Sequence, residues 1–188
     1  MQIETNRMLL RPWEEGDAAA LYRYASDPRV GPSAGWAPHA SEEESREIIR
    51  TVLREPETYA VVLKETNEPV GSVGIMIPAR REGAGTAQDE AEIGYWIGVP
   101  YWGRGLIPEA VEALLARCFT VLGCERVWCA YFDGNEKSHR VQEKCGFVYD
   151  HTEYDVPTRL ENDFRTEHFS KIEKAQWEAR QAQKSGGR

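Results

Sequence analysis

A long amphipathic helix between two β-rich segments is the feature of this sequence that most restricts its fold. Apolar residues recur at helical spacing over residues 107–122, with Pro108 in the first turn and Gly123 after the last. The aromatic and β-branched segments before and after it, residues 91–98 and 126–132, predict strands. Further strands and helices surround this unit, so the sequence predicts one α/β domain with a mixed sheet.

The rest of the chain supplies the remaining elements. Two capping boxes, Ser41 with Glu44 and Ser170 with Glu173, predict helices that begin there. A flexible loop is expected over residues 78–89. Residues 1–170 are expected to form one domain, and residues 171–188 a C-terminal helix with a frayed tail. The other predicted strands are 8–11, the hairpin 59–63 with 70–77, one beginning at 146–148 and one including 164–169, and the other predicted helices are 17–24, 41–54 and 135–145.

Composition limits the possible partners. The 188 residues carry a net charge of −8, which disfavours nucleic-acid binding and favours a cationic partner such as an amine or a basic peptide. No apolar run is long enough to span a membrane and no secretory signal is visible, so we expect a cytoplasmic protein. The four cysteines have no C-x-x-C spacing and the four histidines form no i, i+4 pair, so no metal site is predicted.

A glycine-containing loop leads from the strand at 91–98 into the long helix. The first amides of a helix are unpaired and lie at the positive end of its dipole. Gly103 and Gly105 would let the backbone curl around an anion, and Arg104 adds a positive charge. The loop lacks the Lys-Ser/Thr of a Walker A motif, and Pro108 stands where a dinucleotide fingerprint needs a third glycine. The pattern favours phosphate binding, with a purely structural turn as the alternative.

A second segment follows the strand at 126–132. Asn135 is a good N-cap, Ser138 lies three residues later, and Gly146-Phe147 ends the helix. Capping alone is one explanation of these residues, and a binding site formed with the glycine loop is the other.

Together, the Trp-Gly-Arg-Gly loop, the following strand, Asn-x-x-Ser and Gly-Phe resemble the GCN5-related N-acetyltransferases, and more narrowly the branch that acetylates ribosomal-protein N-termini. The resemblance is strongest over residues 92–147 and extends more loosely over nearly the whole chain. It implies a twisted mixed sheet whose fourth and fifth strands splay apart, with acetyl-CoA as co-substrate in the gap.

The resemblance also implies roles for single residues. Ser138 matches the serine proposed in this branch to protonate the leaving thiolate. Two positions depart from the family pattern, because Pro100 stands where the loop usually has Gln or Arg and Gln142 stands where many relatives have a thiolate-protonating tyrosine. The residues implied to contact acetyl-CoA are Ile97, Val99 and Asn135 for the pantetheine arm, and Trp102, Gly103, Arg104, Gly105, Leu106 and Ile107 for the pyrophosphate.

The predicted reaction is direct transfer of an acetyl group from acetyl-CoA to an amine, either a peptide N-terminus or a small molecule such as an antibiotic or a polyamine. Glu92 is a candidate base acting through water, with an exposed strand carboxylate as the alternative. No cysteine is a credible acyl carrier. A non-catalytic acyl-CoA sensor or interaction module on the same fold is the rival function. The chain is expected to be a monomer or a homodimer.

Overall fold

The computed structural model describes residues 1–77 and 89–186. Within these ranges eight strands form one sheet in the order β1-β2-β3-β4-β5-β6-β8-β7. Every neighbouring pair is antiparallel except β5 and β6, which are parallel. The strands are β1 (Ile3–Glu4), β2 (Met8–Arg11), β3 (Thr58–Leu63), β4 (Glu68–Met76), β5 (Glu90–Ile97), β6 (Arg126–Phe132), β7 (Val148–Pro157) and β8 (Phe164–Glu173). The helices are α1 (Ala18–Ala25), α2 (Glu42–Thr51), α3 (Leu106–Thr120), α4 (Glu136–Cys145) and α5 (Lys174–Gly186).

Helices cover both faces of the sheet. The apolar stripe of α3 is buried in the larger core, where Leu114 and Leu115 join Ile93 of β5 and Val127 of β6. A second core, which includes Leu21 of α1, lies on the other face. This arrangement confirms the predicted α/β fold with a mixed sheet. No helix in the described ranges is long and apolar enough to cross a membrane.

One of the two predicted capping boxes is confirmed in its main contact. The Ser41 hydroxyl accepts the amide hydrogen of Glu44 at 3.0 Å at the start of α2, although the Glu44 carboxylate reaches the amide of Ala40 instead of that of Ser41. The second capping box is wrong. Ser170 is buried inside β8, opposite Cys129, and the strand continues to Glu173 before α5 begins. Residues Glu167–Glu173 of β8 pair with the whole of β6, and this pairing overrides the local helix-start signal.

The two central strands separate after a short pairing. β5 and β6 pair only over Glu90–Glu92 and Arg126–Trp128, although β5 continues to Ile97 and β6 continues to Phe132. Beyond this point β5 remains paired with β4, and β6 with β8. A gap therefore opens between β5 and β6, at the place where the family resemblance implies one. The predicted loop at 78–89 lies outside the described residues, apart from Asp89.

Candidate active site

A cavity of about 900 Å³ lies where β5 and β6 diverge. Its wall combines the end of β5, the glycine loop, the start of α3 and one face of α4. Most of the residues to which the family resemblance assigns a role line this cavity, namely Ile97, Trp102, Gly103, Gly105, Leu106, Ile107, Asn135 and Ser138. Three others are not among its lining residues: Val99 lies in a 3₁₀ turn, Arg104 lies over the Tyr101 ring, and Glu92 lies on β5 opposite Trp128.

The glycine loop has the backbone conformation that its sequence predicts. Gly103 and Gly105 have φ values of +74° and +72°, in the left-handed region that side-chain-bearing residues rarely adopt. Helix α3 then starts at Leu106, so the amides of Leu106 and Ile107 have no partner within the helix. Free amides at the positive end of a 15-residue helix form a site suited to an anion.

Arg7 contacts the outer side of this loop, a role that no local sequence pattern indicates. Its guanidinium donates to the carbonyl oxygens of Arg104 at 2.9 Å and of Gly105 at 3.0 Å. Glu109 of α3 accepts from Arg7 Nε at 2.7 Å and keeps the guanidinium in place. Because the N–H of a trans peptide points opposite to its C=O, the amides of Gly105 and Leu106 point away from Arg7. Arg7 and Glu109 therefore hold the loop in position from the side opposite to these amides.

The β5 edge offers further hydrogen-bonding groups to the gap. The amide of Gly98 donates to the Val70 carbonyl of β4 at 2.8 Å. Hydrogen-bonded positions alternate in an antiparallel pair, so the backbone groups of Tyr95 and Ile97 face away from β4, towards the gap. The Ile97 carbonyl already accepts the Trp102 indole N–H at 2.9 Å. The amide of Tyr95 therefore faces the place where the strands diverge.

Asn135 caps α4, as its position predicts. Its side-chain oxygen accepts the amide hydrogen of Ser138 at 3.2 Å, and its side-chain N–H donates to the Ser33 carbonyl at 3.2 Å. The residue thus links the start of α4 to a 3₁₀ turn at Gly31–Ala34, while it also lines the cavity. Capping and ligand binding are compatible at this position.

The Ser138 hydroxyl faces β5. It lies 2.9 Å from the Tyr95 hydroxyl, whose single hydrogen has two acceptors within reach, Ser138 Oγ and the Ser138 carbonyl oxygen at 3.2 Å. Gln142, one turn further along α4, is buried. Burial raises the pKa of Tyr95 well above its ordinary value, so the phenol keeps its proton at neutral pH.

The cavity wall is cationic although the protein is acidic. Lys137, Arg140 and Lys144 lie on one face of α4, and the Lys137 ammonium is 4.4 Å from the centroid of the Trp102 ring. Arg29 and Arg165 complete the cationic part of the wall, although each is also paired with an aspartate of its own segment. Asp133 is the acidic residue that lines the cavity with them. This charge suits a ligand that carries several negative charges.

Glu167 has an unusual environment that the sequence did not indicate. It lies on β8, opposite Phe132 of β6 and Glu153 of β7. Burial, together with the negative charges of Glu92 and Glu153, raises the pKa of Glu167 to about 7. Glu92 of β5, Glu153 of β7 and Glu167 of β8 therefore lie close enough together on the sheet for their charges to repel one another.

We expect Glu167→Gln to stabilise the protein at pH 8. The pKa of Glu167 is higher in the folded state than in the unfolded state. At pH values above the unfolded pKa, ionisation of Glu167 therefore lowers the unfolding free energy of the wild type. The variant should gain about 1–3 kcal/mol in unfolding free energy at pH 8, and much less at pH 5 where the folded state holds the proton. Urea unfolding at both pH values measures the difference, with Glu178→Gln on α5 as the control. An equal gain at both pH values would contradict the shifted pKa.

Comparison with known proteins agrees with this geometry. The profile of the acetyltransferase (GNAT) domain matches residues 7–148. The chain is 31% identical over 130 residues to the uncharacterized N-acetyltransferase p20 of Bacillus licheniformis, covering 66% of this chain and 70% of that protein. A GNAT-family acetyltransferase from Bacillus anthracis superposes with a TM-score of 0.81 at 24% identity, covering 93% of this chain and 99% of that one.

A further structural neighbour is named for a more specific activity. The ribosomal-protein-S5-alanine acetyltransferase of Vibrio fischeri superposes with a TM-score of 0.71 at 20% identity, covering 94% of this chain and 98% of that one. At this identity the likeness concerns the fold. The domain match, the p20 relative and the splayed central strands agree, and they show that this chain is an acyltransferase that belongs to the GNAT family of acetyltransferases.

Proposed function

We propose that this chain transfers an acetyl group from acetyl-CoA directly to a primary amine while both are bound. The observation that carries the proposal is the cationic cavity at the β5–β6 gap, with the left-handed glycine loop and the start of α3 in its wall. Acetyl-CoA has a polyanionic nucleotide end and a long neutral arm. The cavity has free amides and cations at one end and strand edges along the gap, so each part of acetyl-CoA has a matching surface.

The residues divide into two binding regions. The pyrophosphate is expected on the loop amides between Trp102 and Ile107, with Arg104 adding charge from outside the wall. The pantetheine arm is expected to pair with the β5 edge near Ile97 and Val99 and to contact Asn135. Val99 is not among the residues that line the cavity, and its carbonyl already accepts the Trp102 amide hydrogen at 3.1 Å, so any contact from Val99 falls to its backbone amide.

The chemistry needs two proton transfers. The amine attacks the thioester carbonyl, and a β5 amide stabilises the oxyanion that develops. Glu92 takes the proton from the nitrogen through water, and Ser138 delivers a proton to the sulfur as the C–S bond breaks. All four cysteines are buried, which supports transfer without an acyl-cysteine intermediate. No group of side chains in the described ranges is suited to hold a metal ion.

A second cavity supports an approach path for the amine. It measures about 810 Å³ and lies between α2 and the sheet, with Trp36, His39 and Glu44 in its wall. Tyr95 and Trp96 line both cavities, so the two meet at the strand where the thioester is expected. We favour a peptide N-terminus as the acceptor, since a protein acetyltransferase is among the structural neighbours.

A panel of amines with acetyl-CoA tests the proposal. The panel contains short peptides with different first residues, a polyamine and an aminoglycoside, with CoA release and product mass as readouts. Acetylated peptides would support the favoured acceptor, and acetylated small molecules would assign the same chemistry to a different substrate. Binding of acetyl-CoA without CoA release from any amine would point to a sensor. A chain that binds no acetyl-CoA would overturn the proposal.

Asn135→Asp separates capping from ligand binding. Aspartate caps a helix as well as asparagine does, but it cannot donate to the Ser33 carbonyl or to pantetheine. It also adds a negative charge to the cavity. We expect acetyl-CoA affinity to fall about fivefold, the effect of one lost hydrogen bond, with a small loss of thermal stability. Calorimetric titration measures the affinity, with Asn67→Asp in the β3–β4 turn as the control. Unchanged affinity would leave Asn135 with a purely structural role.

A further inference from the structure

The hydroxyls of Tyr95 and Ser138 lie side by side, and the proposed chemistry does not yet name the source of the proton that Ser138 delivers. A serine hydroxyl is a very weak acid, so Ser138 needs a proton source if it is to protonate a thiolate. A phenol is a far stronger acid, with an ordinary pKa of about 10 against about 8.5 for a thiol. The Tyr95 hydroxyl lies 2.9 Å from Ser138 Oγ, within hydrogen-bonding distance.

We propose that Tyr95 is the proton source that acts through Ser138 on the leaving CoA sulfur, an inference that rests on the function proposed above. As the C–S bond breaks, the sulfur takes the bonding electron pair and the Ser138 hydroxyl gives it a proton. Ser138 takes the phenolic proton of Tyr95 in the same movement. The phenolate then recovers a proton from water in the cavity. The proton that Glu92 passes from the amine to water compensates for this, so no proton is gained or lost overall.

Three observations support this path over a purely structural contact. Tyr95 comes from β5, at the gap, and Ser138 from α4, so the hydrogen bond joins the two elements between which the thioester is expected. Both residues line the cavity. Cys129 Sγ is 3.8 Å from the Tyr95 oxygen, a weak donor that would support the phenolate while it lasts.

Burial also affects the point at which the phenol ionises. Burial raises the pKa of Tyr95, which keeps its proton in place until negative charge develops nearby. The same desolvation raises the pKa of a thiol held in the gap. Gln142, which occupies the position where many relatives carry a tyrosine, has a neutral amide that is far too weak an acid to protonate a thiolate. The phenol on β5 therefore supplies from the opposite wall what α4 lacks.

The first test is a spectroscopic titration that needs no amine. A hydrogen bond to a thiolate lowers the pKa of the thiol, so Ser138, polarised by Tyr95, should depress the pKa of the bound CoA thiol. Thiolate absorbance is measured across pH for the protein–CoA complex, with the complex of desulfo-CoA subtracted. Tyr95→Phe and Ser138→Ala should each raise this pKa by about one unit, and the double variant should raise it little further because the two hydroxyls act in series.

Controls separate this effect from a change in folding or in binding. Tyr154→Phe makes the same chemical change at an exposed tyrosine and should leave the thiol pKa as in the wild type. If Tyr95→Phe does not fold, site-specific incorporation of 3-fluorotyrosine at position 95 keeps the ring and makes the phenol more acidic, so the thiol pKa should fall. A thiol pKa that does not respond to either change at Tyr95 would overturn the inference. A wild type that binds no CoA would instead overturn the proposed function.

The second test uses the best amine from the panel and a donor with a better leaving group. In the acetyl selenoester of CoA, selenium replaces sulfur, and the selenolate leaves without a proton. Tyr95→Phe should lower kcat about tenfold with acetyl-CoA, a modest general-acid effect, and less than about threefold with the selenoester. Equal losses with the two donors would show that the Tyr95 hydroxyl is structural.

Discussion

Ser138→Ala is expected to lower turnover about 10²-fold at saturating substrates, the lower end of what general acid–base catalysis contributes. A thiolate is already a fair leaving group, so the assistance is smaller than for a poor one. The structure adds a reason to expect an effect. The Ser138 amide donates its hydrogen to the capping side-chain oxygen of Asn135, but the Ser138 hydroxyl lies against Tyr95 and not against the backbone of its own helix turn.

Acetyl-CoA affinity, melting temperature and turnover together distinguish a catalytic role of Ser138 from a structural one. Acetyl-CoA affinity should stay within about threefold of the wild type, and the melting temperature should hardly move, because alanine is a good helix residue. Combined with Tyr95→Phe, the loss of turnover should be smaller than the product of the single losses, as for residues that act as one unit. Wild-type turnover in Ser138→Ala would mean that the thiolate leaves unassisted or takes its proton from water.

Local sequence signals were sufficient where structure depends on nearby residues. The strand–loop–helix unit is such a case, since the left-handed Gly103 and Gly105, the helix start at Leu106 and the Asn135 cap all depend on contacts within a few positions. Periodicity and capping therefore predicted the elements that form the cavity. The family resemblance supplied the separation of β5 and β6, which no local pattern indicates.

Local sequence signals could not predict contacts between residues that are far apart in the chain. Arg7 and Glu109 are 102 positions apart, and Tyr95 and Ser138 are 43 apart. Their meeting depends on how the sheet is ordered and on where α3 and α4 cross it. The same limit explains the error at Ser170, where pairing with β6 keeps the chain extended although a capping box is present.

Glu167 illustrates a further limit. From the sequence alone, a glutamate in a strand is expected to be solvated. The raised pKa of Glu167 arises only because β5, β7 and β8 bring Glu92, Glu153 and Glu167 together. Electrostatics of this kind depends on three-dimensional distance and burial, neither of which follows from the order of residues.

Gly105→Val is expected to weaken acetyl-CoA binding at least tenfold, or about 1.4 kcal/mol. With φ at +72°, a β-branched residue is strained whatever the space around it, and the nearest neighbour of an added Cβ, Arg7 Nη2 at 3.7 Å, is only in ordinary contact. The backbone must therefore rotate. Rotation would turn the Gly105 carbonyl away from Arg7 and the Leu106 amide away from the phosphate, so the loss falls on the ligand.

Gly123→Val is the matched control for this prediction. Gly123 has φ of +74° with open space around it, and it follows the other end of α3. Both variants should lose similar stability in thermal unfolding, because both force valine into the same backbone region. Calorimetric titration should then show weaker acetyl-CoA binding for Gly105→Val alone. A folded Gly105→Val protein with wild-type affinity would show that the loop is a structural turn, and the pyrophosphate would have to lie elsewhere along the cationic face of α4.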